Sequence, residues 1–234
     1  MEKNPATTEH PHPASAFPLT HWTIIFEAGS ADSRQAQAAL AKLCELYRQP
    51  IVNWFGRHAN RQEAEDLAHS FIAYLLDKQV LARLRERKGR FRFFLVTVMR
   101  RFLYAEWDKA AAQRRGGNAA IVPLAGNEAA QPAGTDGDPQ FDSDLAAEIH
   151  ARVMSKLEPP GDFVPYLFGK DPSPGWDEVA ATLNTTSAAL RKRVSRLRRA
   201  HWEGFRDQVA ELVSPGDKAD ETRYLYELLF RNLA

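Results

Sequence analysis

Residues 175–201, GWDEVAATLNTTSAALRKRVSRLRRAH, constrain the fold more tightly than any other stretch, because two helical stripes flank a short break. Val179, Ala180 and Leu183 form one apolar face of a short helix, and Asn184-Thr185-Thr186 ends it. Asn accepts the left-handed backbone of a tight turn better than any residue but Gly. Thr186 is a natural N-cap for the helix that follows. In that second helix Leu190, Val194 and Leu197 recur at i, i+4, i+7 and face inward. Arg191, Lys192, Ser195 and Arg199 project from the other side. From Ser187 to Arg206 there are seven Lys/Arg against Glu203 alone. The pattern is that of a helix-turn-helix, whose cationic second helix is a shape the DNA major groove accepts. The plainer alternative is a solvated basic surface helix.

Net charge is only +1 over 234 residues, so the charge is segregated rather than abundant. Residues 85–115 hold ten Lys/Arg against Glu86, Glu106 and Asp108. Residues 116–148 hold six acids (Glu128, Asp136, Asp138, Asp142, Asp144 and Glu148) and no Lys or Arg. Two basic blocks separated by an acidic stretch point to two nucleic-acid contacts joined by a segment that avoids DNA. Cys44 is the only cysteine, which rules out a disulfide framework and a thiolate cluster; its place in an apolar helical stripe predicts a buried structural thiol. No apolar run approaches the roughly 18 residues of a membrane span, and no signal-peptide core opens the chain. The expected location is cytoplasmic, with no membrane partner.

Alternating β-branched runs are almost lacking, so the expectation is all-α: two small helical domains joined by a flexible acidic linker. Residues 1–16 are Pro- and Ala-rich and read as a disordered tail, whose His10 and His12 are too few for a metal site. Residues 17–113 read as the first helical domain. Thr20 is placed to cap a short helix with Trp22, Ile25 and Phe26. Ala36, Leu40, Leu43 and Tyr47 form a stripe that Pro50 is expected to interrupt before a new helix bearing Ile51, Trp54 and Phe55. Asn60 is placed to cap a helix over 61–77 with Leu67, Phe71 and Leu75 on one side. A short helix over 78–86 and a loop lead to a long helix, about 91–113. Residues 114–143 read as a Gly/Pro-rich acidic linker. Residues 144–209 form the second domain, opening on a stripe of Leu145, Ile149, Val153 and Leu157. Residues 210–234 are a C-terminal helical extension with Leu225, Leu228 and Leu229.

The first basic block differs in kind from the second. Its long helix buries Leu95, Val98, Phe102 and Ala105, while Phe93, Thr97, Arg100, Tyr104 and Trp107 line another face. Rings interleaved with arginines suit unstacked bases, each stack contributing about 1–3 kcal/mol while the cations follow phosphates. The loop around Gly89 adds Arg87, Lys88, Arg90 and Arg92. The competing reading packs Tyr104 and Trp107 against a neighbouring helix.

Together these segments resemble the extracytoplasmic-function class of bacterial RNA polymerase sigma factors, over about Phe17 to Val209. The residues that carry the resemblance are AEDLAHSFIAYLL (64–76), GRFRFFLVTVMRRFLYAEW (89–107) and WDEVAATLNTTSAALRKRVSRLRRA (176–200). The segments at both ends are similar to a subgroup with terminal additions. The resemblance implies a polymerase-docking helix with Glu65, Asp66 and Leu67 at its centre, and His69-Ser70 where the family usually has Gln-Glu. It implies that Lys88, Gly89, Arg90, Arg92, Phe93, Arg100, Tyr104 and Trp107 meet the minus-ten element and its melted strand. Arg191, Lys192, Arg193, Ser195, Arg196 and Arg199 are then the minus-thirty-five contacts, and Asn184 stands in for the family's turn glycine. Implied partners are core RNA polymerase, promoter DNA as duplex and as melted strand, and an anti-sigma factor.

No nucleophile–base set, phosphate-cradling glycine loop or metal-ligand cluster is visible, so the expectation is a non-enzyme without cofactor or metal. Two other readings stay open: a stand-alone helix-turn-helix regulator, or a degenerate sigma-like protein-interaction module.

Overall fold

The computed structural model describes residues 34–75, 90–114, 137–168, 175–213 and 216–233. These residues are all-α, as expected, with no strand among them. The helices are α1 (Arg34–Gly56), α2 (Arg61–Leu75), α3 (Phe91–Arg114), α4 (Pro139–Leu157), α5 (Val164–Phe168), α6 (Trp176–Thr182), α7 (Ser187–Ala210) and α8 (Lys218–Leu233). A 3-10 turn at Gly161–Phe163 leads into α5. The expected tail at 1–16, the helix around Trp22, the helix over 78–86, Lys88, Gly89, most of the linker and Ser214-Pro215 lie outside the described residues.

Local signals place several helix ends. Asn60 caps α2, its Oδ1 accepting from Glu63 N at 3.0 Å, and Thr186 caps α7 by accepting from Ala189 N at 3.2 Å. Asn184 has φ 49°, the left-handed backbone the turn demands.

Two expected boundaries are corrected. Pro50 does not end a helix: α1 runs through it without a break. A helix-interior proline forfeits the bond to the carbonyl four residues earlier and costs about 3 kcal/mol. Leu46 and Tyr47 before it, and Ile51, Trp54 and Phe55 after it, all enter one core. Burying such side chains stabilises by about 1.5–3 kcal/mol each, so packing outweighs the backbone defect. The linker, in turn, does not extend to residue 143. α4 begins at Pro139, with Asp138 as its N-cap accepting from Gln140 N and Phe141 N. An acid at the cap and a proline in the first turn are a helix-start signature that the surrounding Gly/Pro composition obscured.

Among the described residues, the buried ones form two clusters. The larger joins α1, α2 and α3 to Phe141, Leu145, Ile149 and Val153 of α4, to Phe205 and Val209 of α7, and to Leu225 and Leu229 of α8. It therefore draws on both sides of the acidic stretch. Cys44 is half-buried at its edge, its thiol pKa pushed up by burial and by Glu45. The smaller cluster unites Phe163, Tyr166, Leu167, Val179, Ala180, Leu190 and Val194 under the helix-turn-helix. Helix α7 belongs to both. It crosses α4 closely at Gly204, where an added Cβ would sit 3.0 Å from Val153 Cγ1. Only a residue without a side chain allows that approach without moving Val153.

At this crossing His150 of α4, His201 of α7 and Tyr226 of α8 form a chain. His150 Nδ1 lies 2.9 Å from His201 Nε2, and His201 Nδ1 lies 3.2 Å from the Tyr226 hydroxyl. The chain is satisfied in either direction of donation with both rings neutral. Burial, reinforced by His150, pushes the His201 pKa down to about 4 from 6.5. The folded state resists a proton that the unfolded chain accepts. The stability this contributes is therefore complete above about pH 6.5 and lost as pH falls towards 4, a span worth at most about 3 kcal/mol. The melting temperature is expected to fall between pH 7 and 4.5, and His201→Phe to flatten that fall. Melting curves at several pH values decide it; an equally steep decline in the variant removes His201 as the cause.

Candidate nucleic-acid interface

The helix-turn-helix is built from its turn outwards. Ser187 Oγ, at the start of α7, donates to Asp177 Oδ1 near the start of α6. Leu190 and Val194 then press onto Val179 and Ala180 in the smaller cluster. Trp176 opens α6 and packs its ring 5.0 Å from that of Tyr166. With one face of α7 committed to the core, helical geometry turns Lys192, Arg196 and Arg199 outward, and all three are exposed. Ser195 is exposed beside them. Arg191 is exposed too, with its guanidinium 5.5 Å from the centre of the Trp176 ring. That contact steadies the side chain from one side and leaves its donors available. Arg193 sits on the flank, 4.8 Å over the Phe163 ring. Arg198 is tied into the fold, donating to the carbonyls of Leu167 at 2.9 Å and Tyr166 at 2.7 Å, near the end of α5. One side of the helix is thus held by rings and carbonyls while the opposite side presents cations.

On α3 the expected face separates into two parts. Arg100, Tyr104 and Trp107 share one exposed side, at i, i+4 and i+7. Tyr104 is 63% and Trp107 47% exposed, and their rings meet edge-on at 5.7 Å. Neither ring is buried in the core. Lys109 pairs with Glu106 at 2.7 Å just beyond.

The other end of α3 is corrected. Arg92 was expected at nucleic acid, yet it is only 3% exposed. Its Nε donates to Glu221 Oε1 at 2.6 Å and its Nη1 to Asp142 Oδ2 at 2.5 Å. Burial alone opposes charge on Arg92, but the Glu221 and Asp142 carboxylates outweigh it and raise its pKa. Phe93 is half-buried, with the Arg92 guanidinium 4.3 Å over its ring and Gly137 against its edge. A Cβ at Gly137 would lie 2.6 Å from that ring, so the close approach needs glycine. Arg90 is half-buried and pairs with Glu221 Oε2 at 3.1 Å. Tyr224 completes the junction by donating to Asp142 Oδ2 at 2.9 Å.

The acids Asp138, Asp142 and Asp144 of the acidic stretch are therefore each engaged by a partner within the fold. Asp138 accepts from Trp54 Nε1 at 2.8 Å besides capping α4, and Asp144 pairs with Arg57 at 2.6 Å. Burial pushes the Asp142 pKa up, against the pull of Arg92. The sequence places Asp142 among the acids of the stretch expected to avoid DNA and gives Glu221 no role. Both fall on core-facing positions of their helices, which is the one local signal that marks them.

Helix α2 offers a third surface. Ala64, Ala68, Phe71 and Leu75 are buried, Leu67 is half-buried against the core, and Glu65, Asp66, His69 and Ser70 face outward. Among the described residues no group of three His, Cys, Asp or Glu is arranged to hold a metal ion, and no helix is long and apolar enough to cross a membrane. Comparison with family models, curated proteins and solved structures gives no match.

The exposed and buried positions on α3 should respond differently to truncation. Trp107→Ala is expected to change stability by no more than about 0.5 kcal/mol, as exposed sites do. Phe102→Ala, in the core between Phe55, Phe71 and Tyr74, should cost about 3–5 kcal/mol. Urea denaturation of the two variants tests this; comparable losses would mean that Trp107 is a core residue after all.

Proposed function

We propose that this chain is a sigma-factor-like transcription-initiation subunit without catalytic activity. Helix α7 grips the minus-thirty-five duplex, α3 receives the melted minus-ten strand, and α2 docks on core RNA polymerase. The observation that carries the reading is the difference between two exposed faces on one molecule. Lys192, Arg196 and Arg199 on α7 offer cations on a rigid helix, which suits duplex phosphates and base edges. Arg100, Tyr104 and Trp107 on α3 offer rings with a cation, which suits bases already out of the stack. A duplex-only regulator has no use for the second face, and a protein-interaction module has no use for the first.

The polymerase assignment rests on the outward face of α2. Asp66→Arg should abolish capture of the chain by immobilised core RNA polymerase while the far-ultraviolet circular dichroism stays unchanged. A folded variant captured as well as the parent would remove α2 as the docking helix.

Duplex reading rests on α7. Losing a base-reading side chain costs about 1–3 kcal/mol at its own base pair, whereas losing a phosphate contact weakens all sequences alike. Selection of binding sites from a random duplex pool should show relaxed preference at one position for Arg196→Ala. Uniformly weaker binding would make Arg196 a backbone contact instead.

A further inference from the structure

Arg90 and Arg92 are cations of the first basic block, and both are held by one carboxylate from the far end of the chain. Glu221, in the first turn of α8, takes Arg92 in a fork: Oε1 accepts from Nε at 2.6 Å and Oε2 from Nη2 at 3.2 Å. The same Oε2 lies 3.1 Å from Arg90 Nη1. Two acceptor oxygens facing a guanidinium fork is also the geometry of an arginine–phosphate contact. We propose that Glu221 occupies a phosphate subsite formed by Arg90 and Arg92, and that α8 is an autoinhibitory latch which nucleic acid must displace. The proposal rests on the reading above that the first basic block meets a DNA strand.

The energetics of the junction favour a latch over a staple. Arg92, Asp142 and Glu221 have side chains no more than 3% exposed. Ion pairs buried this deeply contribute little net stability, because desolvation offsets the attraction. The network is also incomplete, since Asp142 Oδ1 is buried and has no hydrogen-bond partner among the described residues. Apolar side chains would join α3, α4 and α8 at least as firmly. What charges provide, and apolar contacts do not, is a contact that a competing anion can replace. Elsewhere α8 adheres through Leu225, Leu228 and Leu229, and it meets Arg92 of α3 through the Glu221 carboxylate and through the Tyr224 ring, 4.8 Å from the guanidinium.

The test uses the full chain and a fluorescently labelled DNA duplex with a central mismatched bubble, titrated over a range of salt. Glu221→Gln keeps the shape of the side chain and removes its charge. Glu227→Gln removes the same charge from an exposed site on α8. Freeing Arg90 for a single-strand phosphate, with Arg92 still held by Asp142, should steepen the slope of log affinity against log salt by about 0.7. Glu221→Gln should show this steepening together with several-fold tighter binding at low salt, and Glu227→Gln neither. Equal slopes for the two variants overturn the latch while leaving DNA binding by the chain intact. Absence of binding by every folded form, the parent included, overturns the DNA reading and the latch with it. If Glu221→Gln fails to melt cooperatively, the parent chain decides. Amide hydrogen exchange over residues 218–226 should quicken when the bubble DNA is added, and unchanged protection there overturns the latch.

Discussion

Helix α7 is a continuous rod of 24 residues, about 36 Å long at 1.5 Å per residue, and its two halves are buried in different cores. Leu190 and Val194 belong to the cluster beneath the helix-turn-helix, Phe205 and Val209 to the main bundle. A rod fixed at both ends transmits position: the cationic face cannot turn without withdrawing Phe205 or Val209 from apolar surroundings. Gly204 sets how closely the rod lies on α4, and the His150–His201–Tyr226 chain fills the polar part of the same crossing. The orientation of the cationic face is thus a consequence of packing further along the same helix, at His201, Gly204, Phe205 and Val209.

A second constraint is electrostatic and acts by position more than by strength. Arg92 is satisfied by a carboxylate from α4 and another from α8. Removing one carboxylate leaves Arg92 paired with the other, and buried pairs of this kind add little to stability because desolvation offsets the attraction. The junction therefore specifies how α3, α4 and α8 meet without being a main source of cohesion. Cohesion comes from the apolar cluster around it, in which Phe55, Phe71 and Phe102 meet edge to face.

These constraints explain how two helices of equal length acquire different surfaces. On α7 rings and carbonyls of the 3-10 turn, α5 and α6 restrain Arg191, Arg193 and Arg198, leaving Lys192, Arg196 and Arg199 outward. On α3 the first turn is absorbed into the junction, and only from Arg100 onward does the helix offer a free face. The surface suited to unstacked bases therefore begins two turns later than the sequence suggested.

What the sequence determined by itself was local. The stripes of α3, α4 and α7, the caps at Asn60 and Thr186, and the left-handed turn at Asn184 each depend on residues within a few positions of one another. The helical period and the conformational preferences of single residues therefore suffice to read them. The outward face of α2 and the exposed cations of α7 follow from the same period once the apolar side is known. Tertiary structure alone decided the rest. Arg92 and Arg100 stand on one helix with the same side chain, yet one is buried and the other exposed, because the partners of Arg92 lie 50 and 129 residues away. Pro50 remains helical because burial on both sides of it exceeds the lost backbone bond. Asp138, Asp142 and Asp144 look like part of a solvated acidic stretch until their partners Trp54, Arg92 and Arg57 are brought to them. A charge in a sequence has a sign but no solvation; only the fold assigns it water or a counter-ion, and that assignment sets which cations can meet nucleic acid.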